Sequence, residues 1–320
     1  MSIYLPKYIK KTLKLLIFLL LITCSKPAEN SKNRISIERF EKLFYNSTND
    51  DLKQLKKIYP YFFPKNFSDN IWEERLKDPI QIEIFNEIEN EFETVAFLER
   101  GLFKFFKKHE EFFDEFNEPK VISVNTDVDY RNRIIFADSI LLIGLDNYLG
   151  PFHRFYEGIP IYIKEDFTRY NIISDIAEKF AHTVVSRNEF YTFLDKIIYY
   201  GKILYYKDQC IVGYEDRYKI GYSKEKMEWA ESNEYFVWTY FIENDILFDP
   251  NNKLNFQFIN DAPFSRFYLE IDNQSSEMIG KFIGWKIIKS YMKNNDVTLV
   301  EMLRTKPIDI YNNSKYKPKK

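Results

Sequence analysis

Cysteine is almost missing from this sequence: 320 residues contain two, Cys24 and Cys210. With no CxxC or CxxH pair, thiolate metal centres and dithiol redox chemistry have no ligands to work with. Histidine is equally scarce, His109, His153 and His182 being the whole supply. The 9 glycines form no GxGxxG fingerprint, no P-loop and no GxSxG elbow, which removes the common nucleotide-binding and serine-hydrolase signatures. Basic residues are not in excess, since 46 Lys and Arg face 48 Asp and Glu. Nucleic-acid binding depends on Lys and Arg to neutralise phosphates, so no nucleic-acid partner is expected. Long apolar runs are lacking too, and nothing approaches the roughly 20 residues a membrane-spanning helix needs.

What the chain does have begins at its N-terminus. Lys7, Lys10, Lys11 and Lys14 precede a short apolar run, Leu15 to Ile22, and then Thr23-Cys24. A positive region followed by a run too short to span is the layout of a secretory signal. Leu21-Ile22-Thr23-Cys24 resembles a lipobox, in which the cysteine becomes the acylated first residue of the mature chain. Residues 1–23 are therefore read as a lipoprotein signal peptide and Cys24 as the lipidation site. Acyl chains each bring about 0.8 kcal/mol per buried methylene, enough for stable anchoring when Cys24 carries several. Residues 24–35 are polar, with Pro27 and several Asn and Ser, and read as a flexible tether. They lack the acidic run at the second to fourth mature positions that sends some lipoproteins to the cell surface, so the periplasmic face is expected. Removing the leader takes away four lysines and no acid, leaving a more acidic mature chain. Once Cys24 is acylated, Cys210 has no partner, and no internal disulfide is expected.

Aromatic residues reach 18%, with 24 Tyr and 30 Phe. Alongside abundant Lys, Ile and Asn, this is read as the codon bias of an AT-rich genome rather than as a carbohydrate-binding surface. Residues 36–311 read as a single globular domain of α+β class, mainly α-helical with a small β-sheet, and residues 312–320 as a basic, mobile tail. Arg34 to Phe40 alternates briefly and the chain then turns helical through Phe44. Short helices carry Leu52, Leu55 and Ile58, then Trp72, and Pro79 opens the next at its first turn. Ile80 to about Phe116 is strongly helical, with Gly101 as its expected interruption. Strands follow at Lys120 to Val124, Arg133 to Ala137 and Ile140 to Leu145. Ser223 to Asn244 is helical, Asn255 to Pro263 loop or short strand. Ser275 or Ser276 opens a long helix through Met292, in which Gly280 and Gly284 suit close helix packing, and Thr298 to Leu303 adds a short one.

The centre of the expected fold is Asn171 to Tyr206, two buried helices. Ile173, Ile176, Ala177, Phe180, Ala181, Val184 and Val185 recur at helical steps, with Asn171 or Ser174 as cap. On the remaining strip Asp175, Glu178 and His182 line up, since residues three and four apart are helix neighbours. A carboxylate and an imidazole one turn apart is the layout of a zinc-peptidase helix. In HExxH, two His hold the metal and the Glu beside the first is the general base. With His182 as the second His, Glu178 occupies the first ligand position and Lys179 the base position; the place of a third-ligand Glu-Gly reads Tyr200-Gly201. Asp175, Glu178 and His182 are therefore vestigial metal candidates, and a Glu178–His182 hydrogen bond or ion pair is the plain structural alternative. No catalytic residue, metal or cofactor is expected. His109 lies in a Lys/Glu-rich helix end and is expected to be solvated. His153 is loop-borne and could be brought near His182. The Tyr148–Tyr162 loop and the basic tail are candidate binding surfaces.

Several segments together resemble one family. Ile143-Gly144-Leu145-Asp146-Asn147-Tyr148-Leu149-Gly150, followed by Phe155-Tyr156, Pro160 and Tyr162, is similar to the core segment of the gliding-motility lipoprotein GldB family. So are Gly201 to Tyr206, Pro263 to Asp272, Ile283 to Met292 and Ser314 to Pro318, with Tyr59-Pro60 and Trp72 in the family's order. The resemblance covers nearly the whole mature chain. It implies an outer-membrane lipoprotein facing the periplasm, working with other envelope proteins of the gliding and type IX secretion apparatus. It also implies a distant zincin-like scaffold whose metal-binding helix is degenerate, as in a pseudoenzyme. The expected function is thus non-enzymatic, through protein–protein contacts and a membrane anchor at acylated Cys24. The alternative is a zinc-dependent peptidase-like hydrolase of the envelope.

Overall fold

The structure is a computed structural model that describes residues 33–137, 139–186 and 189–320. The signal peptide, Cys24 and most of the tether lie outside the described residues. The chain joins the fold at Ile35, which is buried and donates its N–H to Glu99 O at 3.2 Å. A short strand β1 (Ile37–Arg39) runs directly into α1 (Phe40–Tyr45), as the brief alternation implies. Next come α2 (Leu52–Ile58), α3 (Asp69–Lys77) with Trp72, and α4 (Pro79–Glu91). Pro79 sits in the first turn of α4, where its missing N–H costs nothing, and the Asp78 carboxylate accepts from Ile80 N at 2.8 Å.

The long helical stretch does break, but not at Gly101. α4 ends where Phe92 turns into the core, and α5 (Ala96–Phe112) starts afresh with the Thr94 hydroxyl accepting from Ala96 N at 3.3 Å. Gly101 lies inside α5, where a Cβ would come within 3.0 Å of the Ile173 side chain. Its lack of a side chain serves helix packing.

β2 (Lys120–Val124), β3 (Ile134–Ala137) and β4 (Ile140–Gly144) complete a four-stranded mixed sheet of order β1-β2-β4-β3. β1 and β4 both run parallel to β2, while β3 returns antiparallel on β4, with Ile135 opposite Leu142. Successive side chains point to opposite faces. Val121, Leu141 and Ile143 therefore join the large core, while Ile122 and Val124 pack with Phe44, Leu52 and Leu55 in a smaller one. The sheet is covered on both sides, as parallel pairs require.

The helical half contains α6 (Ile161–Lys164), α7 (Ile172–Val184), α8 (Phe193–Cys210), α9 (Asp216–Ile220) and α10 (Lys224–Glu243). It continues with α11 (Lys253–Phe258), α12 (Ile279–Asn294), α13 (Leu299–Arg304) and α14 (Pro307–Ser314). The expected α+β class, mainly helical with a small sheet, is what forms. Two boundaries differ from expectation. Residues 255–258, expected as loop or short strand, belong to the helix Lys253–Phe258. α12 starts at Ile279, after Met278 in a left-handed conformation (φ 52°), because the Ser275 and Ser276 hydroxyls are drawn to Ser265 O and Lys226 O. Asn171 takes the N-cap position of α7, but neither its side chain nor that of Ser174 makes a cap bond. Asn171 Oδ1 accepts from the Thr168 hydroxyl, and Ser174 donates to Tyr218 O.

The tightest contact is between α8 and α12. A Cβ on Gly284 would lie 1.8 Å from Ile197 O, and one on Gly201 would lie 2.4 Å from the Gly284 carbonyl. The two backbones touch, so the close packing read from Gly284 is real and α8 is central to two helix pairs. α14 extends past the expected domain end, and Tyr316 beyond it donates to Glu234 at 2.9 Å and meets Trp238 edge-on at 4.9 Å. The basic tail is held at that residue. Ile35–Lys320 forms one unit. No helix among the described residues is long and apolar enough to cross a membrane.

Candidate functional site

One strip of α7 opens onto a cleft of about 440 Å³. Asp175, Glu178, Lys179 and His182 all line it, so the helical spacing placed them on one face correctly. The opposite walls come from the start of β3, from α8 and from the start of α12.

Glu178 is the best-connected of the four. Its Oε1 lies 3.9 Å from His182 Nε2, at the outer edge of ion-pair distance, while its Oε2 accepts from Lys207 Nζ at 2.7 Å. Lys207 reaches up from α8, with its side chain 2% exposed, and also donates to Lys219 O at 2.7 Å. Burial pushes the Glu178 carboxyl up, but Lys207, Lys281 and His182 outweigh it and hold the group down to about 2. His182 is fixed from below by its Nδ1 contact with the Tyr199 hydroxyl at 2.8 Å.

Asp175 belongs to a second, deeper group. It accepts from the Tyr148 hydroxyl at 2.7 Å and from Arg133 Nε at 3.0 Å, and the same guanidinium forks onto Asp166 at 3.0 and 2.6 Å. Burial raises the Asp175 carboxyl to about 6 against the pull of Arg133. Tyr148 thus serves the interior. It is fully buried, as are Asp146 and Asn147. Asp146, which burial pushes up to about 6, accepts from Thr126 N and Val128 N and holds Asp127 and Val128 at φ 60°. The Tyr148–Tyr162 segment, expected as a surface loop, therefore has buried anchors at Tyr148 and Tyr156. Its exposed part is around Phe152, and Tyr162 reaches the cleft.

The other histidines are elsewhere. His109, expected in solvent, is 5% exposed, stacked on Phe113 at 4.7 Å and bonded through Nδ1 to the Tyr206 hydroxyl at 2.7 Å. Burial lowers it to about 4. Its Lys and Glu neighbours occupy the outer face of α5, while the helical period puts position 109 on the stripe of Leu102, Phe105 and Phe106. His153 accepts from Phe155 N at 3.3 Å, faces Glu87 at 3.6 Å and does not line the cleft, so it is not brought to His182 there.

The residues of a zinc-peptidase site can be tested one by one. Lys207 occupies the carboxylate that would be a ligand, and Lys179 stands where the base belongs. Tyr200, in the third-ligand place, lies under the Lys281 ammonium at 5.0 Å, and Gly201 is packed on Gly284. Among the described residues no group of three or more His, Cys, Asp or Glu could hold a metal ion. The donor set does not fit catalytic zinc, which takes three protein ligands and an open position. Arg133, Asp166, Lys207 and Lys281 escaped the sequence reading. For Lys207 a signal existed: a lysine amid the apolar run of α8 has to find a buried partner.

The sequence matches the model of the gliding motility protein GldB family over residues 23–318. The chain belongs to that family. The match starts beside Cys24 and runs through Tyr316, so it takes in the sheet, the cleft and the α8–α12 crossing alike. Membership makes this a gliding motility lipoprotein of the cell envelope. Comparison with curated proteins returns no match, and neither does comparison with solved structures.

Proposed function

We propose that this GldB-family lipoprotein is a non-enzymatic component of the gliding machinery, linked to type IX secretion and acting through contacts with other envelope proteins. In this reading it is held on the periplasmic face of the outer membrane by an acylated Cys24, on a degenerate zincin-like scaffold. The observation that carries it is the 2.7 Å bond from Lys207 to Glu178. An ammonium fixed on that carboxylate opposes a metal ion at the place where a peptidase would bind one. Lys179 in the base position supports the same reading, because an ammonium cannot take a proton from metal-bound water.

The test is a pair of measurements on purified full-length protein. Metal analysis after zinc loading is expected to give well below one zinc per chain, and capture from native envelopes is expected to return a reproducible protein partner. One tightly bound zinc per chain, lost in His182→Ala together with a hydrolytic activity, would replace this reading with an envelope hydrolase.

A further inference from the structure

We infer that the cleft under α7 recognises a carboxylate-bearing peptide segment of a partner protein, an inference that rests on the scaffold reading above and names the chemistry of its partner. Four of the acids lining the cleft or its floor are already neutralised from within the protein. Arg133 holds Asp166 at 2.6 Å and Asp175 at 3.0 Å, Lys207 holds Glu178 at 2.7 Å, and Lys226 holds Glu277 at 2.8 Å. The cations facing the same space are not used up in this way. Among the described residues, Lys179 and Arg131 have no carboxylate within ion-pair distance, Arg131 resting on the Tyr130 ring at 5.3 Å. Lys281 contacts Met278 Sδ at 3.0 Å and the Tyr200 ring at 5.0 Å; its charge reaches Glu178, but among the described residues no carboxylate lies within ion-pair distance of it. On the acidic side Asp261 is the wall residue without a cation partner among the described residues.

An entering group therefore meets three cations that no described carboxylate pairs directly, of which Lys281 acts on Glu178 from a distance, and one such acid, Asp261. Carboxylates bonded to ammonium or guanidinium groups form the strong, charge-assisted class of hydrogen bond. The volume, about 440 Å³, falls in the range of roughly 300–1,000 Å³ typical of ligand pockets. Tyr130, Tyr162 and Tyr218 line it and offer the ring surface and hydroxyls common at protein interfaces. Asp261 and the Glu178 carboxylate sit on the same walls, and they oppose a dianionic phosphate more than a single carboxylate. A flat anionic membrane could not enter a concave site of this size. A peptide bearing one or two acidic side chains fits both the shape and the charge.

Binding can be read by fluorescence anisotropy on the full-length protein in detergent, using a short labelled peptide with two glutamates and its glutamine counterpart. The glutamate peptide is expected to bind at least about tenfold more tightly, and less tightly as salt is raised. Lys179→Ala with Lys281→Ala is expected to weaken it about tenfold or more with a melting temperature lowered only slightly, by the loss of the Lys281 charge near Glu178. Lys179→Ala alone, a change at an exposed and unpartnered side chain, is the variant to use if the pair destabilises the fold, and it should weaken binding measurably. Equal binding of the glutamine peptide, or displacement by inorganic phosphate or phosphatidylglycerol vesicles as effective as by unlabelled peptide, would overturn the inference. Envelope capture separates the two proposals. A partner held equally by wild type and the double variant sinks the cleft inference and leaves the scaffold; no partner with wild type sinks the scaffold reading itself.

Discussion

Lys207 and Glu178 are joined across two helices by a 2.7 Å hydrogen bond, with the ammonium buried and the carboxylate 40% exposed at the cleft wall. Lys207→Met should leave Glu178 and Lys219 O without their donor. The expected cost is about 2 kcal/mol, below the value for a fully buried pair because solvent reaches Glu178. Urea unfolding at pH 7 measures it. The sign with pH follows from a carboxyl held down to about 2 from an ordinary 4.5. The pair's stabilisation is complete above about pH 4.5 and is lost as pH falls toward 2, and Lys207→Met should flatten that acid limb.

Gly284→Ala should be among the most damaging single changes in the chain. Its Cβ would be driven to 1.8 Å from Ile197 O, backbone against backbone, and no side-chain rotation relieves that. A loss of about 4 kcal/mol or more, or failure to accumulate folded protein, is expected by urea unfolding or soluble yield. Gly101→Ala meets only the Ile173 side chain at 3.0 Å and should cost clearly less. Equal effects of the two would refute the crossing as the reason for glycine at 284.

Acidification should destabilise the protein through His109. Its folded value is lowered to about 4 from an ordinary 6.5, so the unfolded chain takes up a proton first. Stability from this group is complete above pH 6.5 and falls between 6.5 and 4, by about 3 kcal/mol in total. His109→Phe fits the surrounding aromatic cage of Phe113, Phe116 and Phe180 and should remove that slope. At pH 7 it should cost about 1 kcal/mol for the bond lost to Tyr206. Melting temperatures of both proteins across pH 4 to 7 check this.

The proposed anchor predicts that Cys24→Ala abolishes acylation and lowers the share of the protein in the membrane fraction. Labelled-palmitate incorporation is the readout, and a variant that still takes up label would refute the lipobox.

Much of the fold was legible because burial imposes a period. The apolar stripe of α7, the β-branched runs of β2 and β4 and the Pro79 start all follow from local rules. The errors share a cause. His109 looked solvated because its immediate neighbours are charged, although the face it occupies is apolar. Ser275 and Ser276 looked like caps, but distant carbonyls at Ser265 and Lys226 compete for their hydroxyls. Gly101 looked like a break, and only the approach of Ile173 explains its size.

The strip of Asp175, Glu178 and His182 was determined by sequence alone, because a helix of fixed pitch sets positions three and four apart side by side. So were Lys179 in the place of a base and the absence of thiolate ligands. What those side chains touch was decided by tertiary structure. Arg133 comes from a strand, Lys207 from a neighbouring helix 29 positions along from Glu178, and Lys281 from the far end of the chain. Charge pairing falls off with distance in space and is blind to distance along the chain. The sequence could therefore show which acids share a face, while the packing of α7 on α8 and α12 chose the cations that neutralise them and those left free.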